Sequence, residues 1–322
     1  MAGGQERILR RRIRSIQSTQ KITRAQELIA ASRIARAQAQ VAAAQPYSEA
    51  ITQVVNDLAA TGGAGDSLLL KPRPELRKVG YIVVAADRGL CGAYNSSIIR
   101  AVEREISERQ HRGVDYALVL VGRKSEGYFR YRDYRIDAAF TGFSDRPAYE
   151  DARRVGAAAT KLFLDGEVDL VEVVYTRFVS MGTQVVERLA LMPLSPEQLD
   201  TEGDREVQAA YEFEPSPEGI LDLLLPRYVD SRVYAALLNA AASEHTARQR
   251  AMKSATDNAA DLITSLSRVM NRARQDTITT EIMEIVSGAE ALRQGEDDEV
   301  DYLSDTIEGR DADLFAARGA ER

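Results

Sequence analysis

The sequence contains few of the residues from which most catalytic and metal-binding sites are built. Among its 322 residues are one cysteine, two histidines and no tryptophan. A single cysteine cannot form an internal disulfide, and with two histidines it cannot supply an ordinary four-ligand zinc site. These absences exclude a disulfide-rich scaffold and a structural zinc domain, and they agree with a reducing compartment.

Long apolar runs are missing as well. No stretch approaches the roughly 20 apolar residues of a membrane-spanning helix, and the start, MAGGQERILRRR, lacks the apolar core of a secretion signal. The sequence therefore predicts a soluble, cytoplasmic protein with no direct membrane insertion.

Charge is distributed unevenly along a chain whose net charge is −7. Residues 1–40 hold nine basic and two acidic residues, whereas residues 293–322 hold ten acidic residues and four arginines. The basic segment has no aromatic residues, which nucleic-acid surfaces often interleave with their cations. A solvated helix face or an acidic protein partner is therefore favoured over nucleic acid.

Both ends of the chain have the composition of long helices. Residues 1–60 carry an apolar face with isoleucines at 13, 16, 22 and 29, and residues 221–292 carry apolar or small residues at near-heptad spacing. In the second segment we predict the seam, the line of residues that faces the partner helix, at 255, 259, 262, 266, 269 and 273. After one break in the heptad spacing the seam is predicted to resume at 278, 282, 285, 289 and 292. Because isolated long helices gain little without packing, we expect the two to pair as an antiparallel coiled coil.

The middle of the chain alternates strand-like and helical segments. Strands are predicted at 79–87, 116–122, 168–178 and 184–194, with helices at 95–112 and 148–165. This alternation predicts a Rossmann-like α/β domain over residues 76–212 with a largely parallel sheet. Linkers are predicted at 61–75 and 213–220, and an acidic flexible tail at 293–322. The fold class is thus a mixed α/β and α+β chain, with an α/β domain inserted between two coiled-coil helices.

One segment, AADRGLCGAYNSS at 85–97, resembles an active-site loop because it follows a buried strand and contains Asp87, Cys91 and two glycines. It lacks the G-x-G-x-x-G spacing of dinucleotide sites, and no phosphate-loop motif occurs in the chain. A cysteine nucleophile needs a nearby base, and neither histidine lies in a recognisable partner motif. A tight turn with a buried, inert thiol and a turn-forming aspartate is favoured over a catalytic loop.

Several separate motifs together resemble one family. QSTQKITRAQELIAASRIARAQ at 17–38, AADRGLCGAYNSSI at 85–98, ASEHTARQRAMKSATDNA at 242–259 and NRARQDTITTEIMEIVSGAEAL at 271–292 are similar to segments of the gamma subunit family of F-type ATP synthases, of the bacterial type. The resemblance implies a non-catalytic rotor subunit of the central stalk. It would transmit rotation between the ion-driven membrane ring and the catalytic ring, and so regulate ATPase activity and ion flow.

The resemblance also implies partners and contact residues. The partners are the alpha and beta subunits, the epsilon subunit and the membrane c-ring, in a complex on the cytoplasmic side of the cell membrane; no cofactor is implied. The implied subunit contacts are Lys21, Arg24, Arg248, Arg274, Gln275, Thr279 and Glu281. The sequence departs from many members at Gln26, where they have Met, and at His245, where they have Gln.

Two alternatives from other classes remain open at this point. One is a nucleotide-binding α/β protein with coiled-coil arms, which nucleotide binding by the isolated chain would favour. The other is a coiled-coil adaptor, which purification without ATPase subunits would favour.

Overall fold

A computed structural model describes the backbone of residues 2–58, 69–70, 73–194 and 217–316, and the side chains of residues 4–58, 69–70, 73–194 and 219–293. The helices are α1 (Ala2–Leu58), α2 (Tyr94–Gln110), α3 (Arg123–Tyr131), α4 (Tyr149–Leu164) and α5 (Pro217–Ala316). The strands are β1 (Lys78–Val84), β2 (Asp115–Val121), β3 (Ala138–Phe140), β4 (Leu170–Phe178) and β5 (Gln184–Met192).

Within these residues the five strands form one sheet, in the order β3-β2-β1-β4-β5. The first four strands in that order run parallel, and β5 pairs antiparallel with β4 at the edge. The central strands read as continuous apolar runs because helices cover both faces of the sheet. One face packs against α2 and the other against α4 and α5, so each face has its own buried cluster.

The chain divides into two compact units, one of residues 21–256 and one of residues 1–20 with 257–322. In the first unit α1 and α5 run antiparallel: Thr23 hydrogen-bonds Thr256 through their hydroxyls at 2.8 Å. Further along, Val55 of α1 lies in the same buried cluster as Leu225 of α5. This confirms the predicted fold class, with two long terminal helices forming a coiled coil and an α/β domain between them.

The seam residues of the coiled coil differ from those predicted. Between 251 and 277 on α5 the buried and half-buried positions are 251, 252, 255, 256, 259, 263, 266, 267, 270, 273 and 277. Eight of them, 252, 256, 259, 263, 266, 270, 273 and 277, form an unbroken alternation of steps of four and three. The predicted seam residues Leu262 and Val269 are instead about half exposed, and the predicted break in the heptad spacing is absent. The error arose because Leu262–Ile263 and Val269–Met270 are apolar pairs, so the sequence pattern does not decide which member faces inward. Beyond Thr277 the predicted seam positions 278, 282, 285, 289 and 292 are exposed.

The same error affects α1. Ile13 and Ile16 lie on its inner face as predicted. However, Ile22 is 60% and Ile29 47% exposed, and Thr23 and Ala30 occupy the inward positions. Large apolar residues on the outer face of a coiled coil are available for contacts beyond the helix pair.

Several element boundaries also differ from the predicted ones. The short strand β3 and helix α3 were missed, because three residues and nine residues are too short to show a clear period. Helix α5 begins at Pro217 rather than at 221, and it extends to Ala316 because no proline interrupts residues 293–316. Side chains beyond residue 293 lie outside the described residues, so the proposed flexible tail remains a prediction.

The observed seam is tested by substituting neighbouring residues. Replacing half-buried Ile263 with asparagine should speed amide hydrogen exchange across residues 257–277 about tenfold, because it puts a polar group in the helix–helix contact. Replacing Leu262 with asparagine is the matched control, since this side chain is 53% exposed, and should change exchange much less. Equal effects of the two substitutions would contradict the assigned seam.

Candidate functional site

The carboxyl ends of the parallel strands are where open α/β sheets usually bind ligands. In this chain that edge is formed by the β1–α2 loop at 85–93, the junction of β2 with α3 at Gly122, and the β3–α4 loop at 141–148. These loops contain the segment that resembled an active site. Their contacts show whether the edge is open to a ligand.

Asp87 holds the loops together. Its carboxylate accepts hydrogen bonds from the backbone N–H groups of Arg123 at 3.1 Å, Gly142 at 2.9 Å and Ser144 at 3.0 Å. Burial by itself would raise the pKa of this carboxyl, but the backbone donors of Ser144, Gly142 and Arg123 outweigh it and lower the pKa below its ordinary value. The sequence predicts a turn or N-cap residue at Asp87 rather than a catalytic one; its carboxylate instead cross-links three loops through contacts 36 to 57 residues away in sequence.

Gly122 allows β2 to pass directly into α3 at this edge. Its φ is +92°, and an added Cβ would lie 2.2 Å from the carbonyl oxygen of Ala85. Only glycine combines that backbone conformation with so close an approach, so the sequence of the junction fixes the spacing between the first two loops.

Helix α5 closes much of this edge. The hydroxyl of Ser144 accepts from the N–H of Asp87 at 2.8 Å and donates to Glu244 Oε2 of α5 at 3.2 Å. Glu244 in turn pairs with Arg248 at 2.7 Å, and Arg248 Nε donates to the carbonyl oxygen of Gly89 at 3.3 Å. We call Asp87, Ser144, Glu244 and Arg248 the strand-end joint.

A cleft of about 400 Å³ remains beside the joint, next to the start of α2. Arg250 is the single charged residue among those lining it, and its guanidinium already donates to the carbonyl oxygen of Gly182 and to the side chain of Gln184. The phosphates of a nucleotide would therefore find no uncommitted cation among the lining residues of this cleft.

Cys91 lies at this edge with only 2% of its surface exposed. Its sulfur accepts a hydrogen bond from the amide of Asn95 at 3.1 Å. Burial raises the pKa of the thiol, so the reactive thiolate is a minor form at neutral pH. The prediction of a buried thiol is confirmed, and its environment is that of an inert one.

In the ATP synthase complex that the resemblance implies, replacing Cys91 with alanine should leave activity close to that of the wild type, because a buried thiol with a raised pKa is a poor nucleophile. ATP hydrolysis by the reconstituted complex measures this, with complex yield recorded in parallel. A large loss of hydrolysis at normal yield would show that the thiol has a chemical role.

His245 lies on α5 beside the joint. Its Nε2 contacts the backbone carbonyl of Asp145 at 3.0 Å, its Nδ1 has no hydrogen-bond partner, and the ring is buried. Burial lowers the pKa of the ring and nearby Arg248 and Arg33 lower it further, whereas the carbonyl and carboxylate of Asp145 act in the opposite direction.

A pH dependence follows from this shift. Below the ordinary histidine pKa of about 6.5, the unfolded chain takes up a proton that folded His245 does not bind. The free energy of unfolding should therefore fall by up to about 1.4 kcal/mol per pH unit as the pH drops below 6.5.

The measurement compares wild type with His245→Gln between pH 7.5 and 5. Glutamine retains an amide donor for Asp145, and the remaining titratable groups, including Glu244 and Asp145, are common to both chains. The two unfolding curves should diverge as the pH falls. Parallel curves would show that His245 has an ordinary pKa.

The predicted contact residues of α1 lie on the surface. Lys21 and Arg24 are both exposed, and Arg24 donates from Nη1 to both carboxylate oxygens of Glu27 at 2.9 Å. Glu27 is only 7% exposed, so Arg24 neutralises a largely buried carboxylate of its own helix while its own side chain stays 58% exposed.

The predicted contact residues near the end of α5 are also exposed; they are Arg274, Gln275, Thr279 and Glu281. At about 100° per residue, Arg274 and Glu281 lie on one stripe of the helix and Gln275 and Thr279 on the neighbouring stripe. The hydroxyl of Thr279 donates to the carbonyl of Gln275 at 2.9 Å. Exposed Ile278 lies between the two stripes, so the four residues flank an apolar strip on the helix surface.

Arg248, the remaining predicted contact residue, is buried, unlike the exposed contact residues of α1 and α5. The resemblance implied a contact with another subunit, but the side chain is 7% exposed and its guanidinium is shared between Glu244 and the carbonyl of Gly89. Its donors are used inside the chain because they neutralise a buried carboxylate. Arg248 thus has an internal structural role in this chain, and the subunit contact that the resemblance implied stays a prediction.

Sequence reasoning missed Ser144 and Glu244. The only local signal was the spacing of Glu244 and Arg248, four residues apart on a helix, which favours an ion pair. No sequence pattern could indicate that this pair is buried against a serine 100 residues earlier.

The fold and the carboxyl-end edge of the sheet define a class of protein. It is a two-helix coiled coil that carries an α/β domain, and the strand ends of this domain are bonded to the C-terminal helix of the chain. Comparison with known proteins identifies the class more closely. The family model described as ATP synthase matches residues 5–292. The ATP synthase gamma chain of Frankia casuarinae is 51% identical over 296 residues, covering 91% of this chain and 99% of that one. That of Kineococcus radiotolerans is 50% identical over 294 residues, covering 90% and 97%. This chain belongs to the ATP synthase gamma chain family.

Solved structures support the fold. A chain of the Euglena gracilis mitochondrial ATP synthase, in a structure described as OSCP/F1/c-ring in rotational state 3, aligns with a TM-score of 0.61 at 18% identity. The alignment covers 91% of this chain and 96% of the other. A chain of the Tetrahymena thermophila central stalk and c-ring aligns with a TM-score of 0.55 at 23% identity, covering 73% and 99%. Among the described residues, no helix combines the length and apolar character needed to cross a membrane.

Proposed function

We propose that this protein is the rotor subunit of an F-type ATP synthase central stalk, transmitting rotation between an ion-driven membrane ring and a catalytic ring of alpha and beta subunits. The single observation that carries this proposal is the match of a family model along residues 5–292. In this role the chain would control both ATP turnover and ion flow without carrying out the reaction itself.

The proposal includes the absence of catalysis by this chain. It is supported by the strand-end edge, where an α/β enzyme would bind its substrate: here Glu244 and Arg248 of α5 close much of the edge, and Cys91 is buried. The alternatives of a nucleotide-binding protein and of an unrelated adaptor are not favoured by the family match.

The proposed partners are the alpha and beta subunits, the epsilon subunit and the c-ring, on the cytoplasmic side of the cell membrane. Exposure of Lys21, Arg24, Arg274 and Gln275 supports their assignment as subunit contacts, because cations and amides on a helix surface can reach carboxylates and carbonyls of a partner. Thr279 and Glu281 are exposed on the same part of α5.

Affinity purification of the tagged chain from native membranes tests the proposal. Alpha and beta subunits should be recovered together with the chain, and the bound fraction should hydrolyse ATP, whereas the isolated chain should not. Recovery of the chain without alpha and beta subunits, or ATP turnover by the chain alone, would refute it.

A further inference from the structure

The strand-end joint is a closed chain of polar contacts that links two loops of the α/β domain to α5. From Asp87 it passes through the hydroxyl of Ser144 to Glu244, then to Arg248, and returns to the β1–α2 loop at Gly89. Each step is a hydrogen bond or ion pair between groups far apart in sequence, except the pair within α5.

Burial makes this joint different from a surface contact. Ser144 is 6% exposed, Glu244 1% and Arg248 7%, so water cannot readily replace their hydrogen bonds.

Apolar contacts between α5 and the sheet are non-directional and allow small sliding movements, whereas hydrogen bonds prefer narrow ranges of distance and angle. Hydrogen bonds from Ser243 to the carbonyl of Thr176 and from Tyr94 to the carbonyl of Ala240 also tie α5 to the domain. Of these contacts, the joint is the one that ties α5 to the β1–α2 and β3–α4 loops together.

The other long helix is held at the adjacent residue. Arg33 of α1 pairs with the carboxylate of Asp145 at 2.7 Å, and the ring of His245 of α5 contacts the Asp145 carbonyl. Both helices of the coiled coil are thus fastened to residues 144 and 145 of one loop. This loop is therefore one place where a force on both helices would enter the α/β domain, beside the apolar core that they share with the sheet.

We propose that Ser144 and Glu244 are positioning residues for energy coupling: they lock the β3–α4 loop to α5, so that torque carried by the helices reaches the α/β domain without slip. The inference rests on the proposed rotor function and extends it to particular residues. A rotor that slips would still allow ATP hydrolysis but would move fewer ions for each ATP.

The test uses the assembled complex in closed vesicles, with ATP hydrolysis and ion pumping measured on the same preparation. Ser144→Ala removes the hydroxyl that bridges Asp87 and Glu244, and should lower the number of ions pumped per ATP about threefold while hydrolysis persists. Ser144→Thr restores a hydroxyl and should recover most of the ratio. An unchanged ratio in Ser144→Ala would overturn the proposal.

Ser125→Ala is the matched control. Ser125 is also a buried serine of the α/β domain, but its hydroxyl donates only to the nearby carbonyls of Val121 and Gly122, both at 2.8 Å. This variant should retain the wild-type ratio. A drop equal to that of Ser144→Ala would mean that loss of any buried hydroxyl loosens the domain, and would also overturn the proposal.

A second measurement separates this inference from the proposed function. In the isolated full chain, amide exchange at Gly142 and Ser144, whose N–H groups bond Asp87, should quicken about tenfold in Ser144→Ala and stay unchanged in Ser125→Ala. Unchanged exchange in Ser144→Ala would refute the lock itself. If the lock is present but the wild-type chain neither assembles nor supports pumping, the proposed function fails instead, and the coupling role fails with it.

Discussion

Replacing Arg248 with alanine should lower the free energy of unfolding of the isolated chain by about 3 kcal/mol or more. Removing one partner of a buried ion pair typically costs about 3–5 kcal/mol, because the other charge is left without compensation. Here the remaining charge would be Glu244, which is 1% exposed. Burial raises the pKa of Glu244, and Arg248 opposes that rise, so the variant should bind a proton at this site at higher pH than the wild type.

Three further variants, Arg250→Ala, Glu244→Gln and the double change of Arg248→Ala with Glu244→Gln, make this prediction specific. Arg250→Ala removes an exposed arginine two residues further along α5 and should cost less than about 1 kcal/mol, within the range of surface substitutions that lose a solvated hydrogen bond. Combining Arg248→Ala with Glu244→Gln should cost less than the sum of the two single changes, since no buried charge remains.

The same experiment decides between the two roles considered for Arg248. If it contacted another subunit, as the resemblance implied, Arg248→Ala would leave the isolated chain as stable as Arg250→Ala does and would weaken assembly alone. Chemical unfolding of the wild type, Arg248→Ala and Arg250→Ala measures the difference in their free energies of unfolding. Equal stability of Arg248→Ala and Arg250→Ala would disprove the internal role.

Replacing Arg274 and Gln275 together with alanine should weaken assembly with the catalytic ring and slow ATP turnover in the complex. Arginine presents several donors in a rigid fork that suits carboxylates and carbonyls. A charged hydrogen bond lost at an interface costs about 1.5–3 kcal/mol, which corresponds to roughly 10- to 100-fold in affinity. The helix should be unaffected, since both residues are exposed and alanine is the best helix former.

The matched control lies on the same helix. Arg272 is also an exposed arginine, but it lies about 200° around the helix from Arg274. Arg272→Ala alone should leave assembly closer to wild type than Arg274→Ala alone does. Subunit retention and hydrolysis are measured for these two single variants beside the double variant in reconstituted complexes. Equal loss in both single variants would indicate a general effect of removing surface charge, and the contact assignment would be falsified by wild-type values in the double variant.

The large features of the fold were predictable because they depend on composition over long segments. The near absence of proline and glycine from residues 5–60 predicted a long helix, and α1 extends from Ala2 to Leu58. The apolar runs around Tyr81 and Leu118 predicted buried strands, and both residues are in β strands at the centre of the sheet. Such features need no knowledge of what each segment packs against.

The orientation of the coiled coil was less predictable. At Leu262–Ile263 and at Val269–Met270 two neighbouring side chains are equally apolar, and the helix can present either one inward. The partner helix decides between them, since a continuous alternation of steps of three and four on both helices lets the seams face each other.

The sequence by itself determined the class of this protein: two long helices around an α/β domain, the motifs of the gamma chain family, and a single cysteine without a catalytic partner. Only the tertiary structure decided that Arg248 is an internal ion-pair partner of Glu244, and that Ser144 joins them to the strand-end loops. The reason is physical. Burial of a charged group depends on residues 100 or more positions away in sequence, so it cannot be inferred from neighbouring residues. Burial in turn decides whether the donors of an arginine bind groups inside the chain or remain exposed for a partner.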